Sequence, residues 1–187
     1  MTSEEFKRGG VESILTARLQ LFPLDIAGLQ AMLAHPEQIE SAPGLTLASD
    51  LVTAQIEHAL QTKIIKMQSV DPALHPWYTY WLIAIPMLGI GAGLIGFKGK
   101  PDAAGMVEFG YGIAETYQNR GLMTEAVQAM IAWAFSLPGC RRITAETLRS
   151  NLDSQRVLVK TGFQLYKQTQ DTFEWKLDRP AEPSVRG

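Results

Sequence analysis

Hydrophobic and polar positions alternate along residues 15–21, where Leu15, Ala17, Leu19 and Leu21 are separated by Thr16, Arg18 and Gln20. A period of two predicts a strand with one buried face. Leu24 and Asp25 then offer a staple and an N-cap, and Ile26, Leu29 and Leu33 recur at helical spacing until His35-Pro36 stops the helix. A second helix is predicted from Asp50 to Gln68, with Ile56, Leu60, Ile64 and Met67 on one stripe and Lys63 and Lys66 facing solvent. Residues 77–86 are aromatic and β-branched, glycines follow, and residues 93–99 return, which predicts a strand, a turn and a second strand. Residues 106–113 read as a further strand. Met123, Val127, Met130, Ala134 and Leu137 mark one face of a helix that Pro138-Gly139 terminates. Residues 141–148 predict a strand. The next helix starts at a capping-box-like Ser150-x-x-Asp153 and closes at Gly162 in the left-handed region. Residues 163–169 and 172–177, joined around Gln170-Asp171, predict a final hairpin.

The chain has 187 residues, 46% hydrophobic and 19% charged, enough to bury a full core in one domain. We expect that domain over residues 11–179, with polar tails at 1–10 and 180–187. A net charge of -2 gives no broad positive field, so nucleic acid is not an expected partner. No run of about 18 uninterrupted apolar residues predicts a membrane span, and the N-terminal stretch lacks the apolar core of a secretory signal. Cys140 is the only cysteine, which forbids an intrachain disulfide; cytoplasm is the expected compartment.

Gly91, Gly93 and Gly96 satisfy G-x-G-x-x-G, the dinucleotide fingerprint. That motif functions at the start of a helix, and none is predicted after Gly96, so a hairpin is the better reading. Gly121 is different. It follows the strand at 106–113 and stands directly before a helical repeat, an order that suits an anion, because the first helical N–H groups lack partners. A glycine there takes backbone angles closed to other residues and leaves the anion room. The same residue also suits a plain turn.

Residues 118–123, Gln-Asn-Arg-Gly-Leu-Met, resemble the pyrophosphate-binding loop of the GNAT acyltransferases, written Q/R-x-x-G-x-G/A. The order of elements from 15 to 177 is similar to that superfamily, and residues 110–126 with 151–163 most resemble its ribosomal-protein N-acetyltransferase branch. The resemblance implies an α/β (α+β) fold, a mixed, mostly antiparallel central sheet flanked by helices. It implies acetyl-CoA as acetyl donor, lying where the sheet splays beside residues 106–113. Gln118, Asn119, Arg120, Gly121, Met123 and Thr124 would meet the pyrophosphate, Ile113 would pair with the pantetheine arm, and Asn151 would hydrogen-bond the donor or cap its helix. Met123 departs from the pattern, which expects Gly or Ala.

The reaction implied is attack of an uncharged amine on the thioester, the acceptor being a protein N-terminal α-amine or a small amine. Glu108, which shares strand parity with Gly110 and Gly112, is the candidate base; a surface or ion-paired role is the close alternative. A strand N–H near Gly112 or Ile113 would stabilise the oxyanion. Leu158 occupies the place of the family's usual tyrosine acid, which leaves Ser154, also a donor contact, or Tyr166 as substitutes. A non-catalytic CoA sensor is the alternative, and a homodimer is plausible by resemblance. His35, His58 and His75 lack metal-ligand spacing, so no metal is expected. Cys140 beside Arg141 reads as structural before reactive, and Trp77, Tyr78, Tyr80 and Trp81 suit either an acceptor pocket or the core.

Overall fold

The computed structural model describes residues 13–34 and 45–181. The helix stop at His35-Pro36, the tail 1–10 and residues 182–187 of the other tail lie outside the described residues. Within them the elements run β1 (Ile14–Leu15), β2 (Gln20–Pro23), α1 (Ile26–Ala34), β3 (Thr46–Leu47), α2 (Ala54–Gln68), α3 (His75–Tyr78), β4 (Trp81–Ile85), β5 (Ile90–Phe97), β6 (Met106–Ile113), α4 (Leu122–Ser136), β7 (Arg142–Leu148), α5 (Leu152–Lys160), β8 (Gln164–Gln168) and β9 (Thr172–Asp178). The sheet order is β1-β2-β4-β5-β6-β7-β9-β8, with β3 attached to β5. Only β3–β5 and β6–β7 are parallel among the described pairs, so the sheet is mixed and mostly antiparallel, as expected.

Helices cover the sheet on two sides. Leu29 and Met32 of α1 and Leu60, Ile64 and Met67 of α2 pack on Phe22, Leu82, Ala84 and Leu94. On the opposite face α4 buries Met123, Val127, Met130 and Ala134, the stripe the spacing predicts. Each leucine, isoleucine, valine, phenylalanine or methionine among them removed from water stabilises the fold by about 1.5–3 kcal/mol. Trp133 of α4 stacks into a ring cluster, 4.6 Å from Trp77, 5.1 Å from Trp81 and 5.8 Å from Phe97 between centroids. Trp77 and Trp81 are therefore core residues and not acceptor-pocket walls. Cys140 is buried in the same core, where desolvation pushes its thiol up to about 11; it is structural.

Four sequence expectations are corrected. The strand at 15–21 is two strands around a turn: the Thr16 hydroxyl accepts the Leu19 N–H at 2.9 Å, and the Thr16 N–H donates to the Leu19 carbonyl at 2.9 Å. A local side-chain bond of this kind outcompetes the ladder, leaving Leu15 72% exposed while Leu19 and Leu21 stay buried. Helix α2 begins at Ala54, capped by Thr53, because Asp50 is engaged elsewhere, its carboxylate accepting the Glu115 N–H at 2.7 Å. Lys63 does not face solvent; it is 8% exposed, with Nζ donating to the carbonyls of Tyr78, Thr79 and Phe97. Trp77 and Tyr78 belong to α3, which begins at His75 with Pro76 in its first turn, and β4 opens only at Trp81.

The hairpin turn of β4 and β5 is Pro86–Leu88, closed by Gly89 at φ +63°, so Gly91, Gly93 and Gly96 lie within β5. Close approach explains them. A Cβ at Gly96 would sit 2.4 Å from the Thr79 carbonyl oxygen, and one at Gly93 would sit 2.7 Å from that of Gly112. No helix follows Gly96, which removes the dinucleotide reading.

Candidate active site

The strands β6 and β7 pair only from Met106 to Glu108 against Arg142 to Thr144, although β6 continues to Ile113 and β7 to Leu148. Beyond Glu108 they part. The Lys98 N–H donates to the Glu108 carbonyl and the Ala114 N–H to the Ala92 carbonyl, which fixes the alternation of the ladder. Glu108, Gly110 and Gly112 thus turn their backbone groups to β5, and Phe109, Tyr111 and Ile113 turn theirs into the gap. Gly112 is removed from the candidate oxyanion donors by this parity; Ile113 keeps its N–H free, and its carbonyl accepts from the Gln118 side-chain amide at 3.3 Å.

The chain leaves β6 through a turn, passes Asn119 at φ +58° and Gly121 at φ +75°, and enters α4. Side chains cap three of the longer helices: Asp25 accepts the Gly28 N–H, Thr53 that of Ile56, and Asn151 that of Ser154. Gly121 supplies no side-chain cap to α4. The first helical bond is from the Glu125 N–H to the Gly121 carbonyl, so the N–H groups of Leu122, Met123 and Thr124 have no partner in the helix. Partial positive charge accumulates there.

Helix α5 forms the opposite wall. The Tyr111 hydroxyl donates to the Ser154 carbonyl at 3.0 Å, tying β6 to the first turn of α5, and burial raises the Tyr111 phenol above its ordinary value. A cleft of about 330 Å³ results. Of the residues singled out from sequence, Gly112, Ile113, Gln118, Asn119, Gly121, Met123, Thr124, Asn151 and Ser154 line it. Met123 is nevertheless 7% exposed and packed in the core with Val127 and Met130, so its side chain does not fill the turn. Asn151, not Ser150, caps α5.

Three candidates stand apart. Arg120 is not on the cleft wall; its guanidinium lies 5.4 Å from the Tyr117 ring centroid. Glu108 is ion-paired with Lys98, and the Tyr166 hydroxyl donates to Glu174 at 2.9 Å. Neither lines the cleft. They do share a neighbourhood: partial burial first, then Glu174 and, more weakly, Glu108 raise the Tyr166 phenol. Leu158 is fully buried. Beside Glu108 the sheet face is open, since a Cβ at Gly110 or Gly112 would meet nothing within 4 Å.

The sequence reading missed Tyr111, Tyr117, Leu122, Asp153, Arg156, Val157 and Lys160 on the cleft wall. A signal for four of them existed: Asp153, Arg156, Val157 and Lys160 fall on one face of α5 at spacings of three, four and seven. Arg156 donates to Asp153 at 2.8 Å.

A sheet parted beside an uncapped, glycine-led helix is the arrangement of an acetyltransferase (GNAT) domain, and residues 18–164 match that family; the chain belongs to it. Its relatives include YjdG, an uncharacterized N-acetyltransferase of Bacillus subtilis, 39% identical over 80 residues that are 43% of this chain and 48% of YjdG. YoaA of the same organism is 33% identical over 72 residues, 38% of this chain and 41% of YoaA. These matches span less than half of each relative's length.

Solved structures share the fold over more of the chain. A ribosomal-protein-S5-alanine acetyltransferase from Vibrio fischeri superposes with a TM-score of 0.65 at 16% identity, covering 90% of this chain and 97% of that one. The ribosomal L7/L12 alpha-N-protein acetyltransferase RimL, in complex with coenzyme A, gives 0.63 at 19% identity, covering 89% and 98%. The family's acetyl donor is acetyl-CoA. The cleft suits that donor chemically, with orphan N–H groups for a diphosphate and an unpaired strand edge for an amide-bearing arm.

Proposed function

We propose that this protein transfers the acetyl group of acetyl-CoA directly to a primary amine, with a protein N-terminal α-amine as the preferred acceptor, and that residues 11–179 carry this activity as one domain. The observation that carries the proposal is the uncapped start of α4 facing the open edge of β6. In this reading the N–H groups of Gly121, Leu122, Met123 and Thr124 hold the diphosphate. Tyr111 and Ile113 pair with the pantetheine amides as a neighbouring strand would, and the Ile113 N–H faces the thioester oxygen as charge builds on it. Asn151 and Ser154 border the arm from α5.

The acceptor approaches over the open face at Gly110 and Gly112. An α-amine ionises near ~8, so roughly one in ten is neutral at pH 7, against fewer than roughly one in a thousand for a lysine near ~10.4. An α-amine thus needs less help from a base, which suits a site whose candidate base, Glu108, is already paired with Lys98. In the proposed step the amine nitrogen bonds to the thioester carbonyl carbon, the C–S bond breaks, and the amine proton passes to Glu108 and on to solvent. Ser154, which lines the cleft, is the group we assign to protonate the departing thiolate, directly or through water.

Incubation with acetyl-CoA and a panel of peptides and small amines, read by mass spectrometry, tests this. The expected product is a peptide heavier by one acetyl group at its N-terminus, formed about 10²–10³-fold more slowly by Glu108→Gln. The position of Glu108 and Tyr166 outside the cleft, with Leu158 buried, favours a CoA sensor as second reading; CoA binding without any acetylated product would select it.

A further inference from the structure

We propose that Arg18 and Thr16, on the turn between β1 and β2, are positioning residues for the diphosphate-binding turn, setting the direction of the Gly121 N–H and screening the charge of Glu125. The proposal rests on the reading that this turn binds a diphosphate.

Glu125 lies in the first turn of α4, one turn from the N–H groups assigned to an anion. A free carboxylate there would repel the ligand. It is not free: Oε1 accepts the Thr16 hydroxyl at 2.6 Å and the Arg18 N–H at 2.9 Å, and Oε2 accepts the Arg18 Nε at 2.7 Å. Burial alone would raise this carboxyl, but the bonds from Thr16 and Arg18 and the guanidinium charge outweigh it and hold it below its ordinary value. Glu125 is thus ionised, oriented and neutralised by residues more than a hundred positions earlier in the chain.

The same guanidinium reaches further. Arg18 Nη1 donates to the Arg120 carbonyl at 2.9 Å. In a trans peptide the C=O of one residue and the N–H of the next point in opposite directions. Drawing the Arg120 oxygen towards Arg18 turns the Gly121 N–H the other way, and Gly121 lines the cleft. Arg18 Nη2 also stands 3.5 Å from the point where a Cβ on Gly121 would sit, so the clamp lies against the glycine itself. Without Arg18 the Arg120–Gly121 peptide loses the bond that fixes its plane, and Glu125 loses its counter-charge.

The test compares kcat/KM for acetyl-CoA with that for S-acetyl-pantetheine, which carries the thioester arm but no diphosphate, in wild type, Arg18→Ala, Glu125→Gln and Arg18→Ala/Glu125→Gln. The ratio of the two values isolates the diphosphate contribution from any general loss of folded protein. Wild type is expected to prefer acetyl-CoA. Arg18→Ala should lower that preference about tenfold, mostly through KM, and the double variant should regain part of it because the repelling charge is gone. An unchanged preference in Arg18→Ala, or no recovery in the double variant, overturns the positioning role. A wild type with no preference for acetyl-CoA would instead overturn the diphosphate reading beneath it.

Discussion

Lys63→Met is expected to lower the free energy of unfolding by about 3–5 kcal/mol in urea denaturation. Lys63 Nζ donates to the carbonyls of Tyr78 at 3.2 Å, Thr79 at 3.0 Å and Phe97 at 2.8 Å, and it lies 4.3 Å from the Tyr80 ring centroid. Those carbonyls belong to the end of α3, the segment before β4 and the end of β5, so one ammonium joins three elements. A methionine of similar length fills the volume but leaves three acceptors without a donor. Each such buried group costs about 1–3 kcal/mol, offset in part by no longer desolvating a charge.

The same residue makes stability depend on pH. Desolvation first, then the charges of Lys66 and Lys98, lower Lys63 from 10.5 to about 7. Between those two values the unfolded chain binds the proton and the folded chain releases it. The penalty of burying the charged form is therefore fully present below pH 7 and is relieved as pH rises towards 10.5. Relative to Lys63→Met, wild type should gain stability from pH 7 to pH 9. Parallel pH profiles for the two proteins would show that Lys63 does not titrate in that range.

Gly121→Val is expected to weaken CoA binding by about 100-fold in calorimetry while costing the fold only about 1–2 kcal/mol. Space is not the obstacle, since the added Cβ would meet only Arg18, at ordinary contact distance. Conformation is: at φ +75° a β-branched residue is strained, and relief of that strain rotates the N–H groups out of the cradle. Gly121→Asn provides the contrast, because asparagine tolerates the left-handed region, as Asn119 does two positions earlier at φ +58°. It should retain binding within about tenfold of wild type.

The cleft proposed to hold the donor was legible in the sequence because backbone forms most of it. A glycine before a helical repeat and an asparagine at the start of another are local signals, and nine of the ten residues assigned to the donor line the cleft. Arg120 alone did not, since its charge is directed to the Tyr117 ring. The side-chain partners of Glu108 and Tyr166 were not legible. Glu108 has the right strand parity, but its partner Lys98 is set by the register of β5 against β6, which alternation does not encode. Tyr166 donates to Glu174 away from the cleft, and Tyr111, a phenol on the cleft wall, is hidden within a strand pattern.

Misread fold elements have the same origin. Alternation at 15–21 is real in the sequence, yet the Thr16 hydroxyl bends the chain by bonding two backbone steps beyond its neighbour. Lys63 sat beside Lys66 on a polar helix face, and its acceptors lie 15 to 34 residues further along the chain. Side-chain to backbone bonds over such separations leave no periodic trace.

The most direct test of the account is a titration of ¹⁵N-labelled protein with coenzyme A, following the amide resonances of Gly121, Leu122, Met123 and Thr124. These four amides are expected to move furthest, saturating together with those of Tyr111 and Ile113, and NAD is expected to leave them in place. Coenzyme A binding that shifts other residues while these amides stay still, or no binding at millimolar concentration, would contradict it.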